Sequence, residues 1–149
     1  MELKENKLPK IYVADVAEDN NILDYFKRSE NFEFVGTSFD GAKVVEDVLS
    51  LKPDVLIMEV MLSNLDGFAV LDKIKVLKDK MPKVFFVSNL SHSGFVTKAI
   101  QSGASYFMVK PVSPENLESR INEVLNNGRS LGENKQLDEK ISNIFISIG

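Results

Sequence analysis

Five short apolar runs, each followed by a segment with helical spacing, constrain the fold of this chain more than any other feature. The runs are residues 11–14, 34–35, 55–58, 84–87 and 106–109. Strands that are buried on both faces read as continuous apolar runs, and alternation with helices is typical of right-handed parallel crossovers. The pattern therefore predicts an α/β fold, a doubly wound (βα)5 unit whose five-stranded parallel sheet is the middle of three layers.

Residues at the ends of the predicted helices agree with this arrangement. Asp66 can cap the third helix just before Gly67, Ser113 places a cap before Pro114 at the first helical position, and Gly103 and Gly128 are typical helix stops. The boundaries predict a flexible N-terminus over residues 1–9, one domain over 10–127 and a polar linker over 128–136.

A second apolar pattern follows the linker. Its apolar residues recur at helical spacing and are Leu137, Ile141, Ile144, Phe145 and Ile148. We interpret residues 137–149 as an amphipathic helix that lacks an obvious partner within the domain, and as a candidate start of an effector domain.

Composition excludes several classes of function. Among 149 residues there is no cysteine and a single histidine, His92, so Cys-ligated and multi-histidine metal sites are ruled out. The net charge of −4 does not indicate a nucleic-acid-binding surface, so we expect any DNA contact to come from another segment. No apolar run approaches the roughly 18 residues of a membrane span, and residues 1–8 are charged, so we expect a cytoplasmic protein without membrane contact.

Polar residues follow four of the predicted strands at one edge of the sheet. They are Asp15, Glu59, Ser88 and Lys110, the last followed by Pro111. Because ligands of doubly wound sheets bind beyond the carboxyl ends of the strands, these side chains are the candidate site.

The residues after the first strand exclude two kinds of phosphate-binding site. A nucleotide or flavin site needs a Gly- or Ser/Thr-rich loop after the first strand, but residues 15–19 read Asp-Val-Ala-Glu-Asp and would repel a phosphate. An aspartyl-phosphate phosphatase needs a second aspartate two positions after the nucleophile, where Ala17 stands.

Three motifs together carry a family resemblance. They are Val-Ala-Asp at 13–15, Pro-Asp-Val-Leu-Ile-Met-Glu at 53–59 leading to Leu-Asp-Gly at 65–67, and Ser-Gly-Ala-Ser-Tyr-Phe-Met-Val-Lys-Pro at 102–111. With them, residues 10 to about 126 resemble the receiver domain of bacterial two-component response regulators, which has a flavodoxin-like fold. The stretch 103–107 and the tail 137–149 further resemble the sporulation transcription regulators of spore-forming Firmicutes, in which a similar tail opens the DNA-binding domain.

The resemblance implies a site that is only partly kept. Family members accept a phosphoryl group on an aspartate after the third strand, with an acidic pair, a magnesium ion, a Thr/Ser and a lysine. Here Glu59 holds the acceptor position and Val16 the second position of the acidic pair, while Leu62-Ser63 replaces the usual Met-Pro. The positions that match are Asp15, Ser88, Phe107 at the aromatic switch, Lys110 and Pro111, which the resemblance makes a candidate for a cis peptide bond.

Physical reasoning indicates that the departures oppose phosphotransfer. Val16 removes a magnesium ligand, and the extra methylene of Glu59 moves its carboxylate by about 1.5 Å. Asp15, Glu59 and Lys110 sum to −1, one unit less negative than the family pocket, so Glu59 can reach Lys110 or Ser88 without a cation. Two interpretations of Glu59 stay open: a carboxylate that drifted once phosphorylation was lost, or a built-in mimic of the phosphorylated state.

We therefore predict an atypical, phosphorylation-independent receiver, a regulatory binding domain and not an enzyme, with no cofactor and no metal. It would act in transcriptional control, in a sporulation-type pathway, through other signalling proteins and through homodimers formed by the face from Phe95 to Leu125. The alternative is a receiver that still accepts a phosphoryl group from a kinase or a small phosphodonor.

Overall fold

A computed structural model describes residues 7–18, 20–90 and 92–127 of the chain. Strands β1 to β5 span Lys10–Ala14, Glu33–Thr37, Val55–Met58, Lys83–Ser88 and Tyr106–Val109, and helices α1 to α5 span Asn21–Lys27, Gly41–Leu51, Gly67–Ile74, Ser93–Gln101 and Pro114–Asn127. All strand pairs are parallel, in the order β2-β1-β3-β4-β5. The predicted fold class, a five-stranded (βα)5 sheet of the flavodoxin-like type, is confirmed.

The sheet forms the central layer because its strands are buried on both faces. Every residue of β3 and β5 is buried, and so are the apolar residues of β1 and β4. Helix α1 packs beside α5, while α2 packs beside α3, and Phe68 of α3 stacks with Phe95 of α4. The helices therefore form two groups, α1 with α5 and α2 to α4.

The predicted helix boundaries rest on side-chain caps. Asp66 accepts a hydrogen bond from the Ala69 N–H at 2.8 Å, and Ser113 Oγ accepts one from the Asn116 N–H at 3.1 Å. Gly103 lies just beyond α4 with φ of 99°, a left-handed conformation that favours glycine. A cap is worth about 1 kcal/mol, so Asp66 and Ser113 help to fix where α3 and α5 begin.

Two local features differ from the sequence prediction. Strand β2 extends over five residues although its apolar run has only two, because it is a half-buried edge strand with a register shift against β1. A 3-10 segment, Lys75–Lys80, continues the chain after α3 and contains a kink at Lys78. Neither feature has an apolar period that a sequence reading could detect.

Two partly buried sets of polar contacts join α2 to the sheet and α5 to α1 and the loop after it. The Tyr12 hydroxyl in β1 donates to Asp47 of α2 at 2.6 Å, and burial together with this bond raises the pKa of Tyr12 well above its usual value of 10.0. Glu118 of α5 accepts hydrogen bonds from the Tyr25 hydroxyl and from Asn31 Nδ2. The contact to Glu118 raises the pKa of Tyr25 to about 12.

Several sequence predictions fall outside the described residues. These are the flexible N-terminus as far as residue 6, the Gly128 helix stop, the linker over 128–136 and the amphipathic helix over 137–149. Within the described ranges, every helix is too short or too polar to span a lipid bilayer.

Candidate functional site

The register of the central strands brings the two candidate carboxylates together. Strands β1 and β3 are neighbours, with Ala14 paired to Met58, so the next residues, Asp15 and Glu59, leave the sheet side by side. A hydrogen bond of 2.9 Å from the Glu59 N–H to the Ala14 carbonyl fixes their backbones. Both side chains are buried, at 4% and 7% exposure.

The Glu59 carboxylate has polar contacts at both oxygens. Oε1 lies 3.2 Å from Lys110 Nζ, and Oε2 accepts hydrogen bonds from the Ser88 hydroxyl and, at 3.1 Å, from the Met61 N–H. The extra methylene thus lets the carboxylate reach across the pocket to the ends of β4 and β5. Sequence reasoning identified the first two partners but missed the Met61 N–H, because backbone donors leave no signal in a sequence.

Lys110 links the two carboxylates. Its Nζ lies 2.8 Å from Asp15 Oδ2 as well as 3.2 Å from Glu59 Oε1, and its side chain is 22% exposed. Burial acts to lower the pKa of Lys110, but the hydrogen bond and charge of Asp15, with those of Glu59, outweigh it, so the pKa lies above the ordinary 10.5. The cation is therefore held charged between two anions.

The other candidate residues are placed differently: Ser88 contacts Glu59 at this edge, whereas Phe107 lies within β5. Ser88 is fully buried at the end of β4, and its carbonyl accepts a hydrogen bond from the Lys110 N–H at 2.8 Å. Phe107 is fully buried in β5, where its ring centre lies 6.0 Å from that of Phe86. The Lys110-Pro111 peptide bond is cis.

The donor set does not fit the magnesium ion that the resemblance implies. Such an ion needs several oxygen ligands at about 2.0–2.1 Å, whereas Asp15 and Glu59 both face the Lys110 ammonium. Val16, 40% exposed, presents an apolar side chain where a third carboxylate would be required. Across the described residues, no cluster of three or more His, Cys, Asp or Glu is arranged to hold a metal.

What the arrangement can do chemically follows from these contacts. Asp15, Lys110, Glu59 and Ser88 form one connected network of charges and hydrogen bonds, which we call the carboxylate–lysine network. Buried carboxylates are stable when they are paired and hydrogen-bonded, and this network provides both without a bound ion. It can hold the ends of β1, β3, β4 and β5 in one fixed arrangement.

Comparison with known proteins agrees with the fold. The family model described as response regulator receiver domain matches residues 13–122. The response regulator domain of Thermotoga maritima CheB is 27% identical, with a TM-score of 0.70, and the match covers 80% of this chain and 98% of that one.

Two further solved structures share the fold at lower identity. A LuxR-family DNA-binding response regulator from Staphylococcus aureus is 24% identical, with a TM-score of 0.69 and coverage of 78% of this chain and 98% of that chain. A LuxR-family two-component response regulator from Aurantimonas sp. SI85-9A1 is 18% identical, with a TM-score of 0.71 and coverage of 94% and 99%. Because the family model spans well over half of the sequence, this chain belongs to the response regulator receiver domain family.

Proposed function

We propose that this receiver domain works without phosphorylation, as a regulatory binding domain and not as an enzyme. The observation that carries the proposal is the engagement of Glu59, whose carboxylate contacts Lys110, Ser88 and the Met61 N–H at once. In this interpretation the carboxylate–lysine network supplies permanently the cross-strand link that a phosphoryl group would otherwise make.

The same contacts oppose phosphoryl transfer. An attacking carboxylate must present a free oxygen lone pair to the phosphorus atom, and catalysis depends on positioning and on cations that neutralise the transferring group. Glu59 Oε2 already accepts two hydrogen bonds, Oε1 faces the Lys110 ammonium, and Val16 cannot bind a cation. A misplacement of about 1 Å can lower a rate on the order of 10²-fold. The extra methylene of Glu59 moves its carboxylate by about 1.5 Å, which is more than that distance.

The alternative, a receiver that still accepts a phosphoryl group, is separated from the proposal by intact-mass measurement. The chain is incubated with acetyl phosphate and magnesium, and we expect no gain of mass. The matched variant Val16→Asp/Glu59→Asp adds the missing carboxylate and places an aspartate at the acceptor position of the same scaffold, so it should gain one phosphoryl group.

The two outcomes have opposite meanings. A phosphoryl group on the unaltered chain that is absent from Glu59→Ala would overturn phosphorylation independence. The double variant is the positive control. If it gains a phosphoryl group, the phosphodonor is active and the assay detects an acyl phosphate on this fold.

We further propose that the domain acts in transcriptional control, in a sporulation-type pathway in the cytoplasm, through other signalling proteins and as a homodimer. The support is the receiver fold with a non-standard acceptor site and, for sporulation, the likeness of residues 103–107 and 137–149 noted above. Two-fold pairing is the commonest association of soluble chains, and no phosphate would be needed to trigger it. We place the pairing surface on residues 95–125, from α4 to α5, and exclude direct contact with DNA by this segment.

Light scattering at micromolar concentration tests the pairing. We expect a dimer for the chain of 149 residues and for a chain that ends at residue 128. A dimer of the longer chain alone would move the pairing surface to residues 129–149, and a monomer in both cases would contradict constitutive dimerisation.

A further inference from the structure

The segment from Lys73 to Lys83 carries an unusual charge for this protein. It contains five of the 18 basic residues and one of the 22 acidic residues, so it has a formal charge of +4 while the rest of the chain has −8. The residues include the end of α3, the 3-10 segment Lys75–Lys80 and the start of β4. Positive charge is thus concentrated on one part of an acidic molecule.

Lysines from three elements meet at one cleft on this side of the molecule. Lys52 at the end of α2, Lys80 of the 3-10 segment and Lys83 of β4 line a cleft of about 410 Å³, together with Asp54, Asp79 and Met81. In the part of the chain that the structure describes, ion pairs within 4.0 Å join other residues, and none involves a lysine of this group. The charge here is therefore available to an external anion.

The 3-10 segment also carries an exposed apolar side chain. Val76 lies between Lys75 and Lys78 in the 3-10 segment and is 68% exposed, the largest exposure among the large hydrophobic residues that the structure describes. We call Lys52, Lys73, Lys75, Val76, Lys78, Lys80 and Lys83 the lysine surface. An exposed apolar residue in a segment that contributes three lysines suits a ligand that is both acidic and partly apolar.

We propose that the lysine surface binds an acidic, amphipathic segment of a partner protein. Nucleic acid fits less well for two reasons. The surface contains no arginine, the residue whose planar guanidinium binds phosphate in a bidentate manner. A phosphate backbone would also leave Val76 uncovered, whereas leucines of an acidic helix would cover it.

The test uses a fluorescein-labelled peptide of twelve residues, nine glutamates and three leucines at helical spacing, and follows its anisotropy with the full chain. The variant Lys52→Gln/Lys75→Gln/Lys80→Gln removes three exposed cations from the lysine surface. Lys27→Gln/Arg28→Gln/Lys43→Gln removes three exposed cations that do not line the cleft and is the matched control for net charge. We expect the first variant to bind about tenfold more weakly and the control to change less than about twofold.

Val76→Ser separates the apolar contact from the charge. This change should weaken binding of the leucine-containing peptide about threefold and leave binding of an all-glutamate peptide unchanged. Equal losses in the two triple variants would overturn the proposal, since net charge alone would then explain the binding. Unchanged affinity in Val76→Ser, or tighter binding of a DNA duplex than of the peptide, would also overturn it.

Discussion

Replacing Lys110 with methionine is expected to lower the free energy of unfolding by about 3 kcal/mol at pH 7. The change leaves Asp15 and Glu59 buried side by side without the cation that both contact. Removing one partner of a buried ion pair costs about 3–5 kcal/mol, and we take the lower end because Lys110 retains 22% exposure. Urea unfolding followed by circular dichroism measures the loss.

The double variant Glu59→Gln/Lys110→Met is the control for this prediction. A neutral amide at position 59 removes one of the two uncompensated charges, so we expect it to recover at least about 1 kcal/mol relative to Lys110→Met. Strictly additive losses in the double variant would show that Glu59 and Lys110 are not energetically coupled, and the carboxylate–lysine network would lose its support.

The pH dependence of the Lys110→Met effect has a defined sign. The pKa of Lys110 is raised above 10.5 in the folded chain, so its stabilising contribution is complete below that pH and is lost as the pH rises through the folded-state value. The difference in stability between the unaltered chain and Lys110→Met should therefore narrow above about pH 10.5. The raised pKa values of Tyr12 and Tyr25 are common to both chains and cancel in the difference.

Strand order explains why the candidate site could be located from the sequence. Asp15, Glu59, Ser88 and Lys110 each follow an apolar run, and the carboxyl ends of parallel strands necessarily share one edge of the sheet. The sequence could not show which carboxylate oxygen of Asp15 or Glu59 accepts from which hydrogen-bond donor. The hydrogen bond between Glu59 and Ser88 depends on the β3–β4 register and on a side-chain rotamer, and neither leaves a periodic pattern in the sequence.

The features that escaped sequence reading are held by contacts between residues far apart in the chain. Tyr12 contacts Asp47, which is 35 residues away, and Glu118 contacts Tyr25, which is 93 residues away. Each partner alone is an ordinary residue at a strand or helix position, so no local pattern marks the pair. The kink at Lys78 also has no local signal. Its positive φ occurs at a lysine, with no glycine or proline there to mark it in the sequence.

The second large effect is expected for Gly41→Ala, which should destabilise the domain by about 3 kcal/mol or more. Gly41 opens α2, and its N–H donates to the Ser63 carbonyl at 2.8 Å, which joins the loop before α2 to the loop between β3 and α3. A Cβ at this position would lie 2.0 Å from the Leu65 carbonyl oxygen and 2.8 Å from its carbon. Because the obstacle is backbone, the loop that follows Glu59 has to move, and overpacking of this kind is costly.

Gly94→Ala is the matched control, since Gly94 also lies in the first turn of a helix. The atoms nearest to its added Cβ belong to the His92 ring, at 3.0 and 3.3 Å, and a side chain at the surface can shift where a backbone carbonyl cannot. Alanine also favours the helix over glycine by up to about 1 kcal/mol, so we expect a change within about 1 kcal/mol of zero. Thermal and urea unfolding of both variants provide the comparison. A Gly41→Ala chain as stable as Gly94→Ala would mean that the two loops are not fixed against each other, and the position of Glu59 in the pocket would then need another cause.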